Sequence, residues 1–203
     1  GLIEMPVEAT EVKLPPADRI EIVVGPFEQG RQLEIQSLRS RGLFSRKAQQ
    51  YGTVQVGRPQ ASVAAIPSRL RAIEPIAPAD ARPTRQLSLW AWPSVKRGYD
   101  FFINGERHVH GEPVRVGDLQ VWEIVNKTPM DHPFHLHGFF FQVLTVNGKA
   151  PLYRSWEDTV HVPPLGRVKI AWRADDRPGP WMVHCHILEH HAAGMMMHFD
   201  VVR

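Results

Sequence analysis

Cysteine is almost missing from this 203-residue sequence, in which Cys185 is the only one. A lone cysteine cannot form an internal disulfide, so no bridge indicates a redox compartment. Apolar runs of the roughly 20 residues that cross a membrane are also missing. Residues 1–11 lack the charged and apolar regions of a signal peptide, and the first residue is not methionine, which suggests a processed or truncated chain. We therefore predict no membrane span, and Cys185 requires an explanation other than a disulfide.

Acidic residues are scarce between positions 39 and 85. Glu74 and Asp80 are the only two, and arginine and lysine clearly outnumber them. The formal net charge of the whole chain is +3. A basic stretch can contact nucleic acid, but prolines at positions 59, 67, 75, 78 and 83 interrupt this one. Little amphipathic periodicity accompanies them. We therefore predict a basic, proline-containing linker over residues 39–88 and no nucleic-acid partner.

Strand-like segments lie on both sides of this linker. Residues 20–24 and 33–38 have strand composition, and the turn residues between them predict a hairpin. After residue 89, short β-rich runs recur between turn signals, and they are Tyr99–Ile103, Val114–Val116, Leu119–Val125, Phe139–Val146, Val160–Val162, Val168–Trp172, Trp181–His184 and Met196–Val202. About eight short strands at this spacing predict a β-sandwich or barrel. A single short helix is predicted over Ile187–Ala193.

Histidine is concentrated in two short motifs. Seven of the eleven histidines lie in HPFHLHG at 132–138 and in HCHILEHHAAGM at 184–195. Imidazole suits copper, zinc and iron, and a set of two histidines and one cysteine with a weak axial methionine is the blue-copper arrangement. That set is available here as His132, Cys185, His190 and Met195.

The tripeptide His184-Cys185-His186 can contact two metal centres at once. Side chains alternate along a strand, so the thiolate faces one way and both imidazoles face the other. His135 and His137, two residues apart, share a face in the same way. The pattern therefore predicts one mononuclear site and four further imidazoles that face a second centre.

Both motifs, in this order, resemble the copper motifs in the last domain of multicopper oxidases. The resemblance covers about residues 90–203, and LPPADRIEIVV at 14–24 is similar to the closing strands of the family's middle domain. It implies an all-β, cupredoxin-like Greek-key sandwich over 89–203, preceded by the tail of a second cupredoxin domain over 1–38. Bacterial three-domain laccases and copper-efflux oxidases are the most similar subfamilies.

The resemblance also implies a function and a set of ligands. It implies one-electron oxidation of a phenolic or metal-ion reductant, coupled to four-electron reduction of dioxygen to water by four coppers, in a periplasmic or secreted enzyme. The implied ligands are His132, Cys185, His190 and Met195 for type 1 copper, His135 for type 2, and His137, His184 and His186 for the type 3 pair. Cys185, His184, His186 and His190 would carry the electrons. The missing first domain would supply two His-x-His motifs from another segment or chain.

Two other functions are consistent with part of the pattern. A stand-alone cupredoxin that only carries electrons needs the type 1 set but has no use for four further histidines. A structural zinc site usually has a closed ligand set such as two cysteines and two histidines, which fits one cysteine poorly.

The remaining candidate side chains are expected to have other roles. His191 occupies a position where copper-efflux oxidases carry an acid thought to relay protons. Asp131 and Glu189 flank ligands and could equally lie on the surface. The others are expected in an exposed loop (His108 and His110), in strands as structural histidines (His161 and His198) or in the core (Met196 and Met197).

Overall fold

A computed structural model describes residues 1–38, 47–59 and 64–203. In chain order the described strands are β1 (Leu2–Ile3), β2 (Gln32–Ser37), β3 (Gln49–Gln55), β4 (Arg85–Ser94), β5 (Gly98–Ile103), β6 (Val109–His110), β7 (Val114–Arg115), β8 (Leu119–Asn126), β9 (His132–Leu136), β10 (Phe141–Val146), β11 (Ser155–Trp156), β12 (Thr159–Val162), β13 (Arg167–Arg173), β14 (Gly179–Cys185) and β15 (Met196–Val202). One short helix, α1 (Leu188–Ala192), lies between β14 and β15. No helix in these described ranges is long and apolar enough to cross a membrane.

Residues 1–20 and 67–203 form the larger of two compact units. Its strands build a five-stranded sheet in the order β10-β13-β8-β4-β5 and a six-stranded sheet in the order β12-β9-β14-β15-β6, with β7 also paired to β15. The strand pairs are mostly antiparallel, but β4 runs parallel to β8, and β6 and β7 run parallel to β15. The prediction of an all-β sandwich with one short helix after the cysteine is confirmed.

Large aromatic side chains fill the space between the two sheets. In β13, Ile170 and Trp172 face the core between the sheets, while Ala171 between them is buried on the opposite face in a second cluster. Trp122 of β8 packs edge-on against Trp172, with ring centroids 5.1 Å apart, and against Phe199 of β15 at 5.5 Å. Because β8 and β15 belong to different sheets, the contact between Trp122 and Phe199 joins the two layers.

Part of the predicted linker is packed rather than free. Ile73 and Ala77 are buried, and Ala77 joins Val121 and Leu144 in a small second cluster on the five-stranded sheet. Strand β4 also begins at Arg85, inside the predicted linker. Short apolar side chains between prolines have no regular period, so the sequence pattern does not reveal that they cover a sheet.

Residues 21–66 form the second unit, in which β2 pairs antiparallel with β3. The predicted hairpin between 20–24 and 33–38 is therefore wrong, because residues 20–24 form no strand and the partner of β2 lies at Gln49–Gln55. Strand composition indicates that a segment can pair, but the tertiary contacts select its partner. Residues 39–46 and 60–63 of the predicted linker lie outside the described residues. The assignment of 1–38, 39–88 and 89–203 to a preceding domain, a linker and a last domain stays a prediction.

Candidate metal centres

Two neighbouring strands hold most of the side chains of interest. Strand β9 pairs antiparallel with β14, and His135 lies opposite His184 while Phe134 lies opposite Cys185. Residues directly opposite each other point to the same face of a sheet. The histidines therefore share one face of the strand pair, and Cys185 lies on the other.

The first group, here called the cysteine cluster, consists of His132, Cys185 and His190. The Sγ atom of Cys185 is 3.7 Å from Nδ1 of His132 and 3.6 Å from Nδ1 of His190, and the two Nδ1 atoms are 3.1 Å apart. The centre of this triangle lies about 2 Å from all three atoms, which matches metal–nitrogen and metal–sulfur bonds of about 2.0–2.3 Å. The three side chains fit one transition-metal ion.

Met195 lies beside the cysteine cluster and is fully buried. Its backbone N–H donates to the carbonyl of His190 at 3.0 Å, and its carbonyl accepts from the N–H of Cys185 at 3.1 Å. Gly194 precedes it with a φ of 123°, and a Cβ atom there would lie 2.5 Å from the carbonyl oxygen of Phe101. The glycine therefore allows the loop after α1 to return closely past β5 to the cluster.

The cysteine cluster is buried, and an aromatic ring packs against it. The ring of Phe101 stacks on the His190 ring with centroids 4.0 Å apart. Burial lowers the pKa of His132 to about 3 and that of His190 to about 4, and it raises the pKa of Cys185 to about 12. Near neutral pH the three side chains are therefore uncharged, and a bound cation would stabilise the thiolate.

The second group, here called the histidine cluster, consists of His135, His137, His184 and His186. The Nε2 atoms of His137 and His184 are 2.9 Å apart, and nitrogen atoms of His135, His137 and His184 all lie within 4.8 Å of one another. The His186 ring is 5.5 Å from that of His135 and 5.3 Å from that of His184, and His186 is exposed. Four imidazoles thus converge, with one side open to solvent.

Hydrogen bonds orient two rings of the histidine cluster. Nδ1 of His135 lies 3.0 Å from the carbonyl oxygen of Asp158 and 2.9 Å from Oγ1 of Thr159. Nδ1–H of His184 donates to the carbonyl of Cys185 at 2.9 Å. Such partners fix the tautomer of a ligating histidine and leave each Nε2 free for a metal.

The remaining candidates lie outside both clusters. His191 packs on His184, with ring centroids 4.4 Å apart. It therefore lies beside the histidine cluster, which the sequence motif does not indicate. His110 is exposed and contacts Asp200 at 3.2 Å. His161 contacts Asp131 and Lys13. Met196 and Met197 were both expected in the core. Met197 is buried there, but Met196 is partly exposed.

Known proteins are similar to this chain in sequence and in fold. The family profile described as multicopper oxidase matches residues 83–203. A multicopper oxidase of Mycobacterium tuberculosis, MmcO, is 40% identical over 106 residues, which are 51% of this chain and 20% of that protein. A laccase of Haloferax volcanii is 35% identical over 133 residues, covering 60% of this chain and 22% of the laccase.

The solved structure of the multicopper oxidase McoA from Aquifex aeolicus superimposes with a TM-score of 0.73 at 29% identity, over 87% of this chain and 42% of McoA. The prediction of a cupredoxin-like fold is thereby confirmed. The chain spans about a fifth of the length of the curated relatives it matches. Since the profile matches more than half of the sequence, the chain belongs to the multicopper oxidase family.

Proposed function

We propose that this chain is the C-terminal part of a laccase-like multicopper oxidase and that it holds the type 1 copper and half of a trinuclear copper site. One observation carries the proposal: the consecutive residues His184, Cys185 and His186 belong to two different clusters of metal-binding side chains. A stand-alone cupredoxin needs only the cysteine cluster, so the four clustered imidazoles favour the oxidase.

The cysteine cluster and Met195 would hold type 1 copper. Two imidazoles, one thiolate and a weak axial thioether form the ligand set of blue-copper sites. Copper bound there would take up and release single electrons. Cys185 would supply the thiolate, Met195 would supply the thioether, and the packing of Phe101 on His190 would exclude water from one ring face.

Two routes connect the two clusters through this chain. The peptide backbone joins Cys185 directly to His184 and His186. In addition, the carbonyl of Cys185 accepts a hydrogen bond from His184 at 2.9 Å, which forms a short second connection. Cys185, His184 and His186 are therefore the residues through which electrons would pass. By the family pattern, His190 would be the ligand at which they enter.

The histidine cluster would be one half of the site for dioxygen. By the family pattern, His135 would bind type 2 copper, and His137, His184 and His186 would bind the type 3 pair. The exposure of His186 and the much greater length of the relatives support completion by another segment or chain that carries two His-x-His motifs. A phenol or a metal ion would be the reductant, in a periplasmic or secreted enzyme.

Copper content and absorption of the purified assembly test this proposal. We expect four coppers per assembly, intense blue absorption from the cysteine cluster and a near-ultraviolet shoulder from the coupled pair. Cys185→Ser should abolish the blue absorption and turnover with every donor, while three coppers remain bound. One copper per assembly, with a blue band alone, would instead support an electron carrier.

A further inference from the structure

A buried hydrogen bond fixes the ring nitrogen of His132 that faces away from the cysteine cluster. Nε2 of His132 lies 2.7 Å from Oγ1 of Thr128, four residues earlier in the chain. Both side chains are almost fully buried, as is that of Asn126. In a dry environment an unmade hydrogen bond is costly, so this contact determines where the imidazole proton resides.

The orientation of Asn126 is the starting point of the network. Its Nδ2 group donates to the carbonyl of Met130 at 2.7 Å and to that of Pro163 at 2.9 Å. Its Oδ1 accepts from the backbone N–H of Thr128 at 2.9 Å. Exchange of the amide nitrogen and oxygen would place an acceptor against two carbonyls and a donor against an N–H. The amide of Asn126 therefore has one allowed orientation.

That orientation sets the hydroxyl of Thr128. Oγ1 lies 2.9 Å from Oδ1 of Asn126 and 3.3 Å from the carbonyl oxygen of Met130. Neither oxygen has a proton to give, so the hydroxyl donates on this side, to the nearer Oδ1 of Asn126. The backbone N–H of Met130 donates to the same Oγ1 at 3.2 Å. A hydroxyl has one proton and two acceptor positions. The remaining acceptor position of Oγ1 therefore faces Nε2 of His132.

The last step determines the tautomer of His132. Nε2 must carry the proton in order to donate to Thr128, and a neutral imidazole with a protonated Nε2 has a free lone pair on Nδ1. Nδ1 is the atom that faces Cys185 and His190. We propose that Thr128, oriented by Asn126, is a positioning residue that holds His132 in the metal-binding tautomer. The proposal rests on the proposed function in taking the cysteine cluster as the copper site.

The tautomer can be measured without metal. Nitrogen-15 chemical shifts of the metal-free wild-type protein should show His132 protonated at Nε2, and its ring proton should be protected from exchange with water. A His132 ring protonated at Nδ1 would overturn the proposal. This measurement requires no variant, so it decides the question even if a substitution prevents folding.

Two substitutions then test the contribution of the hydroxyl to copper binding. Thr128→Val keeps the shape and removes the hydroxyl, and it should weaken copper(II) binding at the blue site about 10–100-fold and alter the blue absorption. Thr128→Ser keeps the hydroxyl and should restore both. A Thr128→Val protein with wild-type copper affinity and absorption, or a Thr128→Ser protein that fails to restore them, would show that the hydroxyl does not position His132.

Thr159→Val is the matched control. Thr159 is also buried, and its hydroxyl contacts His135 of the histidine cluster at 2.9 Å. This substitution should leave the blue absorption unchanged, because the affected ring belongs to the other cluster. If the wild-type protein with copper(II) shows no blue absorption, the proposed function is contradicted. The tautomer measurement on the metal-free protein tests the role of Thr128 independently of that result.

Discussion

Mild acid should destabilise the metal-free protein through its buried histidines. His132 is fully buried, and burial holds its pKa at about 3, against about 6.5 in an unfolded chain. Between these values the unfolded chain binds the proton and the folded protein does not, so stability rises with pH in this window and is lost as pH falls. The effect begins near pH 6.5 and continues to about pH 3.

The size of the effect follows from the two pKa values. At pH 5, protonation of the unfolded chain at His132 alone lowers the free energy of unfolding by about 2 kcal/mol relative to pH 7. His184 and His190, each with a pKa lowered to about 4, act in the same direction. Domains are typically stable by only about 5–15 kcal/mol, so these three histidines should bring the metal-free protein close to unfolding at pH 5.

Urea unfolding of the metal-free protein at several pH values measures this loss. His132→Gln removes one titrating group, so the decrease between pH 7 and pH 5 should become smaller by about 2 kcal/mol. Equal pH dependence in the wild-type and His132→Gln proteins would refute the reasoning. It would mean that His132 is protonated in the folded protein, or that it is not buried.

Three further substitutions have defined outcomes. Met195→Leu should raise the reduction potential of the blue site in a redox titration, because a weak axial ligand is lost, and an unchanged or lower potential would remove Met195 from the ligand set. Leu188 lies on the exposed side of α1, two residues before His190. If electrons enter at His190, Leu188→Trp should slow the oxidation of large donors, whereas the oxidation rate of a small donor and the blue absorption should not change. Equal loss for both donors would place electron entry elsewhere. Gly138→Ala should lower the melting temperature, because the backbone φ of 77° is strained for alanine by about 1–3 kcal/mol and the new Cβ would overlap the Trp181 ring at 2.0 Å. An unchanged melting temperature would show that the loop after the first motif adapts.

The two clusters of candidate metal ligands could be predicted because their geometry is local. Alternation along β14 alone separates Cys185 from His184, and the spacing of His135 and His137 alone places them on one face. The short helix after the cysteine also follows from composition. These features need no knowledge of which strands are neighbours, so one sequence is sufficient to predict them.

Predictions that depend on contacts between residues far apart in the sequence were wrong or were not made. The predicted partner of β2 was wrong, because the strand composition of residues 20–24 does not show whether they pair with β2 or with anything else. The packing of Ile73 and Ala77 was missed, because the apolar residues there have no period. Asn126 ends strand β8 and Thr128 follows it, four residues before His132. Polar side chains that close to a candidate ligand are a signal that sequence analysis could have used. Only the fold shows that their target is His132.

The clusters differ in how completely this chain encloses them, and the difference follows from topology. All members of the cysteine cluster come from β9, β14 and α1, and the interior of the sandwich buries them. The histidine cluster uses the opposite face of β9 and β14, where no second layer of this unit covers His186. A strand pair has two faces, and a single sandwich can bury only one of them. The cysteine cluster on the inner face is therefore enclosed by this chain, whereas the histidine cluster on the outer face is open at His186. Under the proposed function, another part of the enzyme would cover that open side, and the same two strands would join an electron-accepting centre to an interface between domains.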